Sequence, residues 1–146
     1  MPTAIQKLRE TTGAGVMDCK RAWEESGGDF DRAVEIIHER GLIKAEKKGE
    51  RSTGAGAIES FVHNDRVGVL VELRCETDFV ARSQEFKALA HEIAMQIAAM
   101  APENVETLVA QSYIKDESQT VESLMKQVIA KVGENIIVQR FCRYEI

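Results

Sequence analysis

Val67, Val69, Val71, Leu73 and Cys75 recur at every second position, with Gly68, Leu70, Glu72 and Arg74 between them. Successive side chains of a strand point to opposite faces, so this run predicts a strand with one continuously apolar side. Such a strand is stable only in a sheet whose apolar face is covered. The cover follows directly in the sequence. Phe86, Leu89, Ala90, Ile93, Ile97 and Met100 form an apolar stripe at helical spacing; Ser83 caps this helix and Pro102 marks its end. Between strand and helix lies Glu76-Thr77-Asp78-Phe79-Val80-Ala81-Arg82. Thr77 and Asp78 suit such a junction, because a short side-chain oxygen takes up an orphan amide of a first helical turn. Phe79 does not fit it in the same way. A phenylalanine directly after a charge, at a surface junction, either packs back onto the core or projects to meet a partner.

The rest of this half reads consistently. Ala57 to His63 and Val67 to Cys75 form a hairpin around Asn64-Asp65-Arg66. A short helix is expected near Val105 to Ala110, and a longer one from Thr120 to Val132, carrying Val121, Leu124, Met125, Val128 and Ile129 and stopped by Gly133. Glu134 to Ile146 is a final strand in which Ile136, Val138, Cys142, Tyr144 and Ile146 share a face that Arg140 interrupts. On that register Leu70, Ile137 and Phe141 fall on the opposite, otherwise polar side. They are either scattered surface residues or a patch that another chain covers.

The first part of the chain reads as three helices. Ile5 and Leu8 share a face of the first, and Thr12-Gly13-Ala14-Gly15 interrupts it. The second runs from about Val16 to Ser26 and ends at Gly27-Gly28. Asp29 caps the third, where Phe30, Ala33, Val34 and Ile37 follow the helical period and Gly41 closes it. Residues 44–56 then read as a charged and small-residue linker. The expected fold class is therefore α+β. Residues 1–53 form a three-helix domain and linker, and residues 54–146 form a core of three-stranded antiparallel sheet with helices on one side.

The net charge is −5, and residues 1–53 are neutral, so the acidic excess falls entirely in 54–146. A nucleic-acid surface would need the opposite balance, so no direct nucleic-acid partner is expected. No apolar run is as long as a bilayer span and no signal-peptide core is visible at the start, which makes a cytosolic protein off the membrane the expectation. Cys19, Cys75 and Cys142 are far apart, as are His38, His63 and His91. Their spacing predicts reduced thiols, no metal site, no cofactor and no nucleophile–base pair.

Thr77-Asp78-Phe79-Val80 resembles the signature of the elongation factor Ts family. Three further segments resemble it in the same order: Leu8-Arg9-Glu10-Thr11-Thr12-Gly13-Ala14-Gly15-Val16-Met17-Asp18-Cys19-Lys20-Arg21-Ala22, Gly68-Val69-Leu70-Val71-Glu72-Leu73, and Lys131-Val132-Gly133-Glu134-Asn135-Ile136-Ile137-Val138. The resemblance covers nearly the whole chain. The three-helix unit, with its glycine-bearing first loop, is similar to a ubiquitin-associated domain.

The resemblance implies a guanine-nucleotide exchange factor, not an enzyme, that binds elongation factor Tu with GDP and promotes GDP release in translation elongation. Carried onto this chain, it makes Phe79 a wedge in the partner's GTP-binding domain, with Asp78 beside it and Thr77 and Val80 holding the turn, so that the partner's magnesium site is lost. It implies docking of the first module on the same partner domain, with Val16 and Met17 as apolar contacts and Lys20 and Lys48 as polar ones. Met17, at helical spacing, reads equally as a core residue. Many members of the family have a second core lobe and a coiled-coil excursion before the final strand, and only about thirty residues are available for them here between Met100 and Lys131. A homodimer through the sheet face, at Leu70, Ile137 and Phe141, would restore that surface. The alternative reading is a ubiquitin-associated-like adaptor that binds a helix and has no exchange activity.

Overall fold

The computed structural model describes residues 3–146. Its first three helices are α1 (Ala4–Thr12), α2 (Val16–Glu25) and α3 (Phe30–Lys47). Thr3 and Gln6 cap α1 reciprocally, side chain to backbone in both directions, and Gly13 ends the helix in the left-handed region at φ 73°. The Asp29 carboxylate accepts from the Arg32 amide at the start of α3. Leu8, Cys19, Ala22, Ala33, Ile36 and Ile37 bury a small core among the three helices, with Ile5, Trp23, Phe30 and Val34 around it.

α3 does not end at Gly41, and residues 44–47 are helix rather than linker. Gly41 lies against α7 (Val121–Val132), where an added Cβ would stand 3.2 Å from the Ala130 Cβ. A glycine inside a helix costs about 1 kcal/mol relative to alanine, but here it permits close approach of two helices. The continuation is anchored by Ala45, which is 2% exposed and belongs to the second, larger core, and by a 3.1 Å ion pair from Lys126 Nζ to Glu46.

That larger core lies under a three-stranded antiparallel sheet of β1 (Ala55–His63), β2 (Val67–Cys75) and β5 (Ile136–Glu145), in the order β1-β2-β5. β1 starts two residues before its expected position, so Ala55 and Gly56 are strand. Gly56 pairs with Arg74. Asn64 and Asp65 turn the hairpin at φ 51° and 57°, a conformation these two side chains tolerate better than most. Val69, Val71, Leu73 and Cys75 are buried against α5 (Gln84–Met100), whose Phe86, Leu89, Ala90, Ile93, Ala94 and Ile97 supply the cover. Ser83 caps α5 as expected. Between α5 and α7 run α6 (Val105–Ala110) and a small hairpin of β3 (Ser112–Tyr113) and β4 (Asp116–Thr120). The hairpin is fastened to α5 by Gln96, which is fully buried and bonds the Ser112 carbonyl and the Ile114 amide.

One strand changes face partway along. Leu73 pairs with Val138 but Glu72 pairs with Arg140, so Gln139 is an extra residue, a β-bulge. Beyond it Phe141 pairs with Val71 and packs on the core side, while Arg143 donates to the Ala98 carbonyl at the end of α5. Cys142, opposite the half-exposed Leu70, and Tyr144 lie on the outer side. Phe141 is therefore not part of the uncovered face, because the bulge reverses the alternation on which that expectation rested. The uncovered face instead carries Ile58, Val62, Leu70, Ile137 and Tyr144 around an ion-pair cluster of Glu72 with Arg74 and Arg140. No helix among the described residues is long and apolar enough to cross a membrane.

Candidate functional site

β2, the central strand, ends at Cys75, and the next turn forms a one-turn helix, α4 (Asp78–Ala81), absent from the sequence reading. Thr77 is its N-cap, in extended backbone, and its hydroxyl accepts from the Val80 amide at 3.3 Å. Val80 and Ala81 are 5% and 7% exposed and fix the inner side of this turn to the core. With Val80 inward, Phe79 is outward. It is 86% exposed, more than any other large apolar side chain among the described residues. Of the two readings of Phe79, packing back onto the core is excluded and projection remains. Asp78 is exposed beside it, and the Thr77 side chain stays with the backbone as a cap.

The turn is held from below by the two residues that precede β5. Gly133 ends α7 at φ 80°, and the chain then brings Glu134 alongside residues 76 and 77. Glu134 Oε1 accepts from the Glu76 amide at 3.1 Å and the Thr77 amide at 2.9 Å, and Oε2 accepts from the Thr77 hydroxyl at 2.7 Å. The contact is reciprocal, for Glu76 Oε1 accepts from the Asn135 amide at 3.2 Å. Asn135 is 3% exposed, and its side-chain amide donates to the carbonyls of Gly49 and Arg51. Beneath these residues the Cys75 thiol donates to the Thr77 carbonyl, and burial pushes that thiol's pKa up. Sequence reasoning assigned no role to Glu134 or Asn135. The contacts to residues 76 and 77 cross 57 to 59 positions of chain, and local periodicity carries no signal at that range.

The second group of expected contacts lies on the helical module. Val16 and Met17 open α2 and are 48% and 57% exposed, so Met17 is not a core residue. Lys20 is exposed one turn after Val16, on the same side of the helix. Lys44 Nζ stands 3.0 Å from Asp18 Oδ2, which places that side of α3 beside α2. Lys48 follows Lys44 by one turn as the C-cap of α3 and is half-buried. The structure thus gathers Thr77, Asp78, Phe79 and Val80 in one turn, and Val16, Met17 and Lys20 on another helix.

The chain resembles known proteins over nearly its whole length. A family model described as Elongation factor TS matches residues 76–146, starting at the first residue after β2. Elongation factor Ts of Thermotoga petrophila is 45% identical over 186 residues, covering 97% of this chain and 94% of the relative. Those of Coprothermobacter proteolyticus and Thermodesulfovibrio yellowstonii are 39% and 37% identical with the same coverage of this chain. Alignments of 186 or 188 positions against a chain of 146 leave these relatives with residues that have no counterpart here.

Proposed function

The chain belongs to the elongation factor Ts family of translation elongation factors, and on that premise we propose that it is a guanine-nucleotide exchange factor acting on elongation factor Tu. The observation that carries this reading is Phe79, an almost fully exposed aromatic on a turn whose other side is fixed to the core. Exposure of so large an apolar ring forgoes burial worth about 1.5–3 kcal/mol. A ring held in that position is suited to insertion into another molecule.

A translation GTPase holds GDP through backbone amides around the phosphates and a magnesium ion that offsets their charge. Phe79 enters the GTP-binding domain as a wedge, Asp78 makes polar contacts beside it, and Thr77 and Val80 keep the turn in shape. Distortion of the partner's magnesium site then weakens its hold on GDP. By linkage, GDP weakens the partner's hold on this chain by the same factor. No covalent bond changes, so the chain acts as a binding protein in the cytosol rather than as an enzyme.

Val16, Met17, Lys20 and Lys48 dock the helical module, residues 1–53, on the same partner domain, while the core, residues 54–146, presents the wedge. The outer sheet face with Ile58, Val62, Leu70, Ile137 and Tyr144 is a surface through which two copies associate. The test is release of fluorescently labelled GDP from elongation factor Tu with and without this protein. Acceleration that saturates with added protein supports exchange. Binding without acceleration refutes it and leaves the helix-binding adaptor.

A further inference from the structure

The exchange reading names the wedge but not what aims it. α4 is a single turn and has too few internal hydrogen bonds to hold its own shape. Val80 and Ala81 anchor its inner side by apolar contact, which fixes depth but does not fix rotation. Rotation is set at the N-terminal end, where the first amides of a helix lack intrahelical partners. Thr77 fills part of that need through the Val80 amide, but a threonine hydroxyl on a free chain turns about its own bond. Here it does not, because it donates to Glu134 Oε2 at 2.7 Å while Oε1 accepts from the two amides just before the helix. One carboxylate therefore fixes three donors across the residues that lead into Phe79. Charge-assisted bonds of this kind are about twice as strong as neutral ones.

We propose that Glu134 is a positioning residue for exchange. It acts through the turn: it holds the Glu76–Thr77 backbone and the Thr77 hydroxyl so that Phe79 projects in one direction. This rests on the exchange reading above. Asn135 ties the same point to the carbonyls of Gly49 and Arg51, so the aim of Phe79 is fixed with respect to the chain leaving α3 as well. A wedge that must enter a site in one orientation loses rate when its orientations multiply, even if its affinity for the core is intact.

The test compares Glu134→Ala, Glu134→Gln and Phe79→Ala in the full chain. Labelled GDP release is measured against concentration of each variant, alongside hydrogen exchange of the free proteins. Glu134→Ala is expected to lower the maximal stimulated rate about tenfold while leaving the half-saturating concentration within about twofold. Simple unfolding would instead lower the amount of active protein, raising the apparent half-saturating concentration at an unchanged maximum. Glu134→Gln keeps an oxygen for the two amides and is expected to recover most of the rate. In the free protein the amides of residues 76–80 exchange faster in Glu134→Ala, while those of α5 keep their protection. Combined with Phe79→Ala, Glu134→Ala adds little, since the aim of an absent wedge is irrelevant. Unchanged protection at 76–80, or a wild-type maximal rate from Glu134→Ala beside an impaired Phe79→Ala, overturns the positioning role alone. A wild-type rate from Phe79→Ala overturns the wedge role and this positioning role with it, whereas no stimulated release from the unmutated protein overturns the exchange reading itself.

Discussion

Phe79→Ala separates a side chain that works outside the molecule from one that holds it together. About a seventh of Phe79 is covered. Full burial of a phenylalanine side chain is worth about 1.5–3 kcal/mol, so the covered fraction accounts for roughly 0.2–0.4 kcal/mol. Alanine is also the better helix former, by up to about 0.5 kcal/mol, and position 79 lies within α4. The two effects oppose each other, and the melting temperature should move by no more than about 2 °C. Phe86→Ala is the control. That ring is fully buried in the larger core, and its loss should cost about 3–5 kcal/mol. Circular dichroism melts of both variants, run beside labelled GDP release from elongation factor Tu, should give opposite orders. Phe79→Ala melts like the parent and loses at least about tenfold in stimulated release. A loss of several kcal/mol on Phe79→Ala would refute the placement of the ring, and undiminished release would refute its use.

Three further outcomes follow from the packing. Gly56→Ala should destabilise the fold by about 1–3 kcal/mol, because a Cβ there meets the Leu73 carbonyl oxygen and lies 2.9 Å from the Arg74 Cα, all backbone of the paired strand; a calorimetric melt unchanged from the parent would contradict it. Among the three thiols, Cys142 should react first with a disulfide reagent, since it is exposed while Cys19 and Cys75 are buried and burial raises their pKa values; peptide mapping that finds Cys75 labelled at the same rate refutes this. Glu92 is drawn two ways: burial pushes its pKa up, but hydrogen bonds from Lys115 Nζ and Tyr113 Oη outweigh it and hold the carboxyl below its ordinary 4.5. A pKa lowered by folding gives stability that is complete above that ordinary value and is lost as the pH falls through the lower folded one; Glu92→Gln should therefore flatten the acid limb of a stability-against-pH curve, and an unchanged limb would show that the pair contributes nothing.

Most elements were legible because their signals are local. The two-residue period of Val67–Cys75, the stripe from Phe86 to Met100 and the caps Asp29 and Ser83 each lie within a few positions of what they specify. The misreadings came from effects that cross the chain. Gly41 has the chemistry of a helix end, and only its proximity to Ala130 explains a helix that runs on. Gln139 is an unremarkable residue in an alternating run, and its role as a bulge is visible only from the pairing with Glu72 and Leu73. That one residue moved Phe141 from the uncovered face to the core side and placed Cys142 and Tyr144 outside. At the candidate site, the chemistry of Thr77 and Asp78 made a cap readable, but whether Phe79 pointed in or out depended on Val80 and Ala81 filling the core first.

α3 gives Ala33, Ile36 and Ile37 to one core and Ala45 to the other. An 18-residue helix is about 27 Å long and stiff along its axis. Two modules on a flexible tether would each have to be reoriented whenever both met one target, and that loss of freedom subtracts from binding. Here it is settled when the chain folds. The arrangement also makes α3 a gauge of phase as well as of length. One residue added or removed between Ile37 and Ala45 would turn one core by about 100° relative to the other and shift it by about 1.5 Å along the axis. Surface changes on either module leave that setting alone, whereas a change of length in the middle of α3 resets it for every residue on both sides.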